Sequence, residues 1–180
     1  MDFSFNQAQA ELSALSRRII ADHATPDRLA ELERARQGFD PDLWAALAEA
    51  GILSAALPEA AGGDGYGVAE QCSILVEIGR AVARIPYLSS IAVGAAAIAR
   101  FGRPEQIQRW ALRAASGDLI VTAALAEPED ENPTTPTTRA KRSGGAWRLR
   151  GTKTTVPAGA VADLFLVPAA TEDGVSVFCV

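Results

Sequence analysis

The stretch Leu119-Ile120-Val121-Thr122-Ala123-Ala124-Leu125 reads as a buried strand, and it begins directly after Asp118 at the end of a long helical run. The texture of the chain changes here, which puts a domain boundary between residues 118 and 119. Downstream, Ala146-Trp147-Arg148-Leu149-Arg150 alternates like a half-exposed strand after the turn Ser143-Gly144-Gly145, and Ala162 to Val167 is a further candidate. The run Val175-Ser176-Val177-Phe178-Cys179-Val180 is still apolar at its last residue, which leaves a sticky edge and a core without a closing wall. The expected fold class is therefore α+β: an all-helical N-terminal domain over 1–118 and an incomplete antiparallel β-domain over 119–180. More polypeptide is expected to be needed to finish it.

Upstream, Leu12, Leu15, Ile19 and Ile20 recur at helical spacing between Gln7 and His23, and Leu29 and Leu32 anchor a more polar segment. Asp40-Pro41 opens another helix with Leu43, Trp44 and Leu47 inside and Gly51 as its stop. The loop Leu57 to Gly67 is glycine-dense but lacks the G-x-G-x-x-G order and the preceding strand of a phosphate cradle, so it reads as a helix-to-helix turn. Val68 to Ala83 shows Cys72, Leu75, Ile78 and Val82 in register. Leu88 to Phe101 is almost wholly apolar and is expected to be buried on most sides, as a core helix or as part of a ligand-pocket wall. Arg103-Pro104-Glu105 starts a last helix that carries Ile107, Trp110, Ala111 and Ala114 on one face.

The 180 residues leave room for one full domain and part of a second. With 48% hydrophobic and 22% charged residues the chain is globular rather than disordered or fibrous. The net charge is −5 and no Lys/Arg cluster forms a stripe, so nucleic acid is not an expected partner. The first residues lack the basic-then-apolar order of a signal peptide, and no apolar stretch reaches the roughly 20 residues that cross a bilayer, so a cytoplasmic location is expected. Cys72, Cys179 and His23 are too scattered for a metal site; the cysteines read as packing residues and His23 as an exposed residue of a last helical turn.

Two segments carry a resemblance to a known family. Leu119 to Pro128, ending Ala124-Leu125-Ala126-Glu127-Pro128, resembles the acyl-CoA dehydrogenase signature in which a strand ends in Thr-Glu-Pro beside the flavin. Leu149-Arg150-Gly151-Thr152-Lys153, followed by Gly159 and Ala162-Asp163-Leu164, is similar to that family's Gly-x-Lys turn and next strand. Gly51-Ile52-Leu53 to Leu57-Pro58-Glu59 and Gly62-Gly63 resembles its connection between N-terminal helices, and Gly102-Arg103-Pro104-Glu105-Gln106 precedes Gly117-Asp118 in the family's order. The resemblance implies a flavoenzyme that removes a proton and a hydride from an acyl-CoA thioester, with FAD as cofactor. It implies an acyl-CoA substrate, a homo- or hetero-oligomer of such subunits, and an electron-transfer flavoprotein as a possible partner. The family's proton-abstracting Glu belongs to a C-terminal domain beyond Val180, so no catalytic residue and no metal ligand is expected here.

The resemblance further implies flavin contacts at Leu125, Ala126, Asn132, Thr155 and Pro157, and an acyl pocket wall at Leu88, Ser89, Ser90 and Val93. Several of these depart from the family pattern. Ala126 stands where a Thr hydroxyl usually bonds the flavin, leaving only backbone groups of Leu125 and Ala126. Glu129-Asp130-Glu131-Asn132-Pro133 replaces the small residues that meet the FAD diphosphate, where three carboxylates repel unless they turn into solvent. Pro157 lacks a hydroxyl and an N–H, and Thr154 and Thr155 also read as ordinary strand residues. The segment from Lys153 to Asp163 resembles a divergent branch that works as paired, unlike subunits. Three readings therefore stand: an acyl-CoA dehydrogenase-type flavoprotein lacking its catalytic domain, a non-catalytic partner subunit, and a helical interaction module unrelated to flavin.

Overall fold

A computed structural model describes residues 6–128 and 132–180; 1–5 and 129–131 lie outside the described residues, and with them the leader reading and the acidic run Glu129-Asp130-Glu131. Helix α1 (Gln7–His23) is opened by Asn6, whose Oδ1 accepts from the Gln9 N–H while Gln9 Oε1 accepts from the Asn6 N–H. Its innermost residues are Ser13, Ser16 and Ile20, with Leu12, Leu15 and Ile19 only half-buried. The cause sits across the interface on α4 (Val68–Arg80), where buried Glu77 accepts from Ser13 Oγ at 3.0 Å and Arg17 Nε at 2.9 Å. A buried carboxylate must be met by donors, so the Ser13 hydroxyl holds the middle of this contact, while the buried Ser16 Oγ has no partner among the described residues. The inner face of α4 is correspondingly Ser73, Ile74 and Glu77 rather than the expected Cys72, Leu75, Ile78 and Val82. Cys72 is exposed, not packed, and Val82 lies past the helix end with φ 51°. His23, read as exposed, is half-buried, with Nδ1 2.9 Å from the Ile19 carbonyl.

Between these helices, α2 (Pro26–Arg34) is capped by Thr25, and α3 (Pro41–Glu49) by Asp40, which also takes two hydrogen bonds from Arg28. Gly51 ends α3 with φ 72°. The glycine-dense loop closes on itself through a short 3-10 turn (Glu59–Ala61): Gly65 N–H donates to the Leu57 carbonyl and Tyr66 N–H to that of Ala55. A Cβ on Gly63 would lie 2.0 Å from the Leu57 oxygen, so the loop is filled by its own backbone. Helix α5 is wound as π-helix over Leu88–Ala95 and as α-helix over Ala96–Phe101. Helix α6 runs through Pro104–Gln106, a π-helical Ile107–Ala111 and Leu112–Ala115. The expected burial of α5 on most sides fails at Leu88, Val93 and Phe101, which are exposed.

Five strands follow: β1 (Val121–Ala123), β2 (Arg139–Ser143), β3 (Ala146–Arg150), β4 (Leu164–Thr171) and β5 (Gly174–Cys179). The antiparallel hairpins β2–β3 and β4–β5 make most of the sheet, and β1 joins β4 in parallel with Val121 opposite Leu164. A single parallel bridge from Arg139 to Ala170 ties the first hairpin to β4. Among the described residues the sheet does not close: β5 pairs with β4 alone. Strand β2, Arg-Ala-Lys-Arg-Ser, carries too little apolar character to announce itself; its register against β3 sets Arg139 opposite Arg150 and Lys141 opposite Arg148. Those four cations share one face, so a basic stripe does exist, built by period-2 alternation on two strands rather than by adjacency in sequence. The architecture is α+β, a helical region followed by an unclosed, mainly antiparallel sheet. One apolar core runs from Ile20, Leu43 and Leu53 through Ile91 to Val121, Leu164 and Leu166.

Candidate functional site

Where α5 meets the sheet, the chain encloses an apolar cavity of about 360 Å³. Its first wall is the start of α5, Leu88, Ser89 and Val93, with Ile85 and Pro86 just before it. The second is β1 and its extension, Thr122, Ala123, Leu125 and Ala126, and the third is the loop carrying Thr155 and Pro157. Leu88 is 59% exposed, a cost in water that a large apolar side chain at a cavity mouth recovers when a ligand covers it. This explains the exposure of Leu88 and Val93: one face of α5 packs on β1 and another borders the cavity, while Phe101 lies at a separate groove.

Hydrogen bonds fix the three walls to one another. The Val121 N–H donates to Ser90 Oγ at 3.1 Å, joining β1 to α5. Thr122 Oγ1 donates to the Pro157 carbonyl at 2.6 Å, and the Thr154 N–H to the Ala126 carbonyl at 2.9 Å. Thr155 has φ 51°, an unfavourable state for a β-branched residue, held by these bonds on either side of it. The N–H groups of Leu125 and Ala126 have no acceptor among the described residues.

Next to the cavity lies a polar knot. Glu127 is buried and accepts from Lys153 Nζ at 2.8 Å, from the Thr137 N–H at 2.6 Å and the Thr138 N–H at 3.0 Å, and from the Thr137 hydroxyl. Burial alone would push its carboxyl up, but the Lys153 ammonium and the threonine donors together hold it well below the usual carboxylate range. The two motif segments at Glu127 and at Gly151-Thr152-Lys153 thus meet in one ion pair. Glu77 is likewise spent, on Arg17, Ser13 and Arg80. No carboxylate lines the cavity among the described residues, and no group of three metal-ligating side chains occurs among them.

Of the expected site residues, the cavity brings together Leu88, Ser89, Val93, Leu125, Ala126, Thr155 and Pro157. Two are placed elsewhere. Ser90 is fully buried on the sheet side of α5, where its hydroxyl serves Val121. Asn132 is exposed, and its Oδ1 accepts from the N–H and hydroxyl of Thr134 in a turn. Ile85, Pro86, Thr122 and Ala123 join the wall without having been anticipated. Only Thr122 carried a signal, as the one hydroxyl in an otherwise apolar strand.

Comparison with known proteins bears on what this arrangement is. Residues 6–118 match the acyl-CoA dehydrogenase N-terminal domain. The chain is 46% identical over all 180 of its residues to acyl-CoA dehydrogenase FadE27 of Mycobacterium tuberculosis, of which it covers 47%. Among solved structures it resembles the ChsE4-ChsE5 complex from Mycobacterium tuberculosis, at 46% identity and TM-score 0.92 over 100% of this chain and 48% of that one. A glutaryl-CoA dehydrogenase from Mycobacterium smegmatis in complex with FADH2 is 28% identical, with TM-score 0.86 over 98% of this chain and 46% of that one. The chain spans about half the length of the relatives it matches. It belongs to the acyl-CoA dehydrogenase family.

Proposed function

We propose that the chain is a partner subunit of a heteromeric acyl-CoA dehydrogenase, contributing pocket wall but not the proton-abstracting carboxylate. The observation that carries this reading is the lining of the cavity: mostly apolar side chains with hydroxyls only at Ser89, Thr122 and Thr155 and no carboxylate, Ala126 at the flavin-side position, and the buried Glu127 and Glu77 already paired. General-base catalysis needs a carboxylate within hydrogen-bond reach of the proton it takes, and this wall supplies none. The ChsE4-ChsE5 structure is itself a complex of two differently named chains, which supports an unlike companion. A boundary near residue 118, between a helical domain and a sheet that a companion completes, belongs to the same proposal. So does a cytoplasmic location; no helix among the described residues is long and apolar enough to cross a membrane.

The second reading is a flavoprotein whose catalytic carboxylate lies on further polypeptide, with electrons passing to an electron-transfer flavoprotein. It is favoured by the two unpaired N–H groups of Leu125 and Ala126, which suit the heteroatom edge of a flavin ring. In either reading FAD would be held by Leu125 and Ala126 with Thr155 and Pro157 at its face, and would accept hydride from the acyl β-carbon. The chain's own residues orient and dry the site: Leu88 and Val93 exclude water from the acyl group, and the Glu127–Lys153 pair fixes the loop that carries Thr155. The test is the yellow flavin absorbance of the purified chain, measured alone and after mixing with a homologous subunit. Colour only after mixing supports the partner subunit; colour in the chain alone supports the flavoprotein.

A further inference from the structure

The hairpin of β2 and β3 spans residues 139–150 and carries five cations and no acidic residue, on a chain whose net charge is −5. Its register sets Arg139 opposite Arg150 and Lys141 opposite Arg148, and all four are exposed on one face. Like charges directly across an antiparallel pair are destabilising, and two such pairs stand side by side here. None of the four makes an ion pair or a side-chain hydrogen bond among the described residues. Protection of an edge strand needs charge on β3 only, yet Arg139 and Lys141 sit on β2, between β3 and β4 in the sheet order. The other hairpin residues on this face are Ser143 and Ala146. The face thus lacks an aromatic platform for unpaired bases and an apolar anchor for a bilayer; Trp147 lies on the opposite face, against Phe178. Three of the four cations are arginines, whose planar fork matches a carboxylate. The cations repeat at about 6.8 Å along each strand and about 5 Å across, and an extended segment displays alternate side chains at the same repeat.

We propose that this face docks an acidic polypeptide, a segment of a partner protein that presents carboxylates at alternate positions of an extended stretch. Carboxylates laid between the two cation pairs remove their mutual repulsion. The test is a nuclear magnetic resonance titration of the full chain, followed at the amides of residues 139–150. Two peptides of identical composition serve as probes: one carries four Glu at every second position among Thr, the other the same four Glu in a contiguous run. The alternating peptide should bind at least about threefold tighter than the contiguous one. Its affinity should fall about tenfold between about 0.05 M and about 0.5 M salt. Arg148→Glu and Lys141→Glu should each weaken it about tenfold or more, Arg148→Lys should weaken it less, and Arg18→Glu, at an exposed cation of α1, should leave it unchanged. Arg148→Glu sets an acid opposite Lys141, so its urea midpoint should rise while binding is lost, which separates the loss from a failure to fold. Where Arg148→Glu folds poorly, Lys141→Glu tests the same face from the other strand. Equal binding of the two peptides, or binding that survives both reversals, overturns the inference. So does the absence of binding by either peptide, which leaves the cations as solvent-facing charge alone. A deoxythymidine oligonucleotide or a phosphatidylserine–phosphatidylcholine vesicle that shifts these amides at lower concentration than the alternating peptide overturns it in favour of that class of partner.

Discussion

Glu127 is a buried carboxylate whose role is structural rather than acid–base. Its carboxylate is buried, acts as acceptor to Lys153, Thr137 and Thr138, and so holds three separate stretches of chain around the cavity floor. Removing its charge strands Lys153, whose side chain is itself 9% exposed. Glu127→Gln should therefore cost about 3–5 kcal/mol, read from urea unfolding. The pH dependence follows from the direction of the shift. A carboxyl held below its ordinary value stabilises the fold above the ordinary range and loses that stabilisation as pH falls through it. Glu77, held down by Arg17 and Ser13, and Asp40, held down by Arg28, behave alike. Stability should thus fall steeply from about pH 5 downward, and Glu127→Gln should flatten the slope by up to about 1.4 kcal/mol per pH unit. An equally steep profile in the variant would show that the Glu127 carboxyl is not held below its unfolded-state range. Thr155 makes the opposite case, strain without compensation in its own conformation: at φ 51°, Thr155→Gly should raise stability by about 1 kcal/mol in the same assay.

At the scale of elements the decisive contact is α5 on β1. Gly94 lies against the strand so closely that a Cβ there would sit 2.7 Å from Val121 Cγ1 and 3.1 Å from the Val121 carbonyl carbon. Gly94→Ala should cost about 1–3 kcal/mol by pushing the helix off the strand, and should also reduce any ligand binding in the cavity that this contact shapes. Ser90→Ala should cost a similar amount for a different reason, a buried Val121 N–H left without its acceptor. Ser90 also marks what could be read from sequence. Apolar spacing located α3, which buries Leu43, Trp44 and Leu47, and β4, which buries Leu164 and Leu166; alternation located β3 and β5 although both are largely exposed. Apolar spacing does not place Ser90, whose position toward β1 comes with the π-helical winding of Leu88–Ala95. It misjudged α1 and α4 because their contact is centred on Glu77, and an apolar-face rule has no place for a buried ion pair. It overlooked β2, whose charged side chains face solvent while Ala140 alone is buried. The cavity residues became legible through motif resemblance at Leu125, Ala126, Thr155 and Pro157; the meeting of Glu127 with Lys153 across 26 positions is a product of the fold alone.

For the molecule as a whole, the open question of physics is the unfinished side of the sheet. Among the described residues strand β5 has β4 on one edge and no strand on the other, and Val177 on it is 62% exposed. Phe101 at the end of α5 is 80% exposed, and Val177 and Phe101 line a common groove with Ile98 and Leu166. Unpaired backbone groups beside a patch of exposed apolar carbon template the addition of another strand, which in a solution of the isolated chain can only come from another copy. The purified chain should therefore self-associate with rising concentration in light scattering. Val177→Lys places a charge on the exposed side of the edge strand, where it has little native packing to lose, so it should suppress association while changing the urea midpoint by less than about 0.5 kcal/mol equivalent. Addition of a homologous subunit should suppress association of the wild-type chain in the same way if that subunit covers the edge. Continued self-association of Val177→Lys would place the contact elsewhere, on the mouth of the cavity at Leu88 or on the Trp147–Phe178 pair of the second hairpin face.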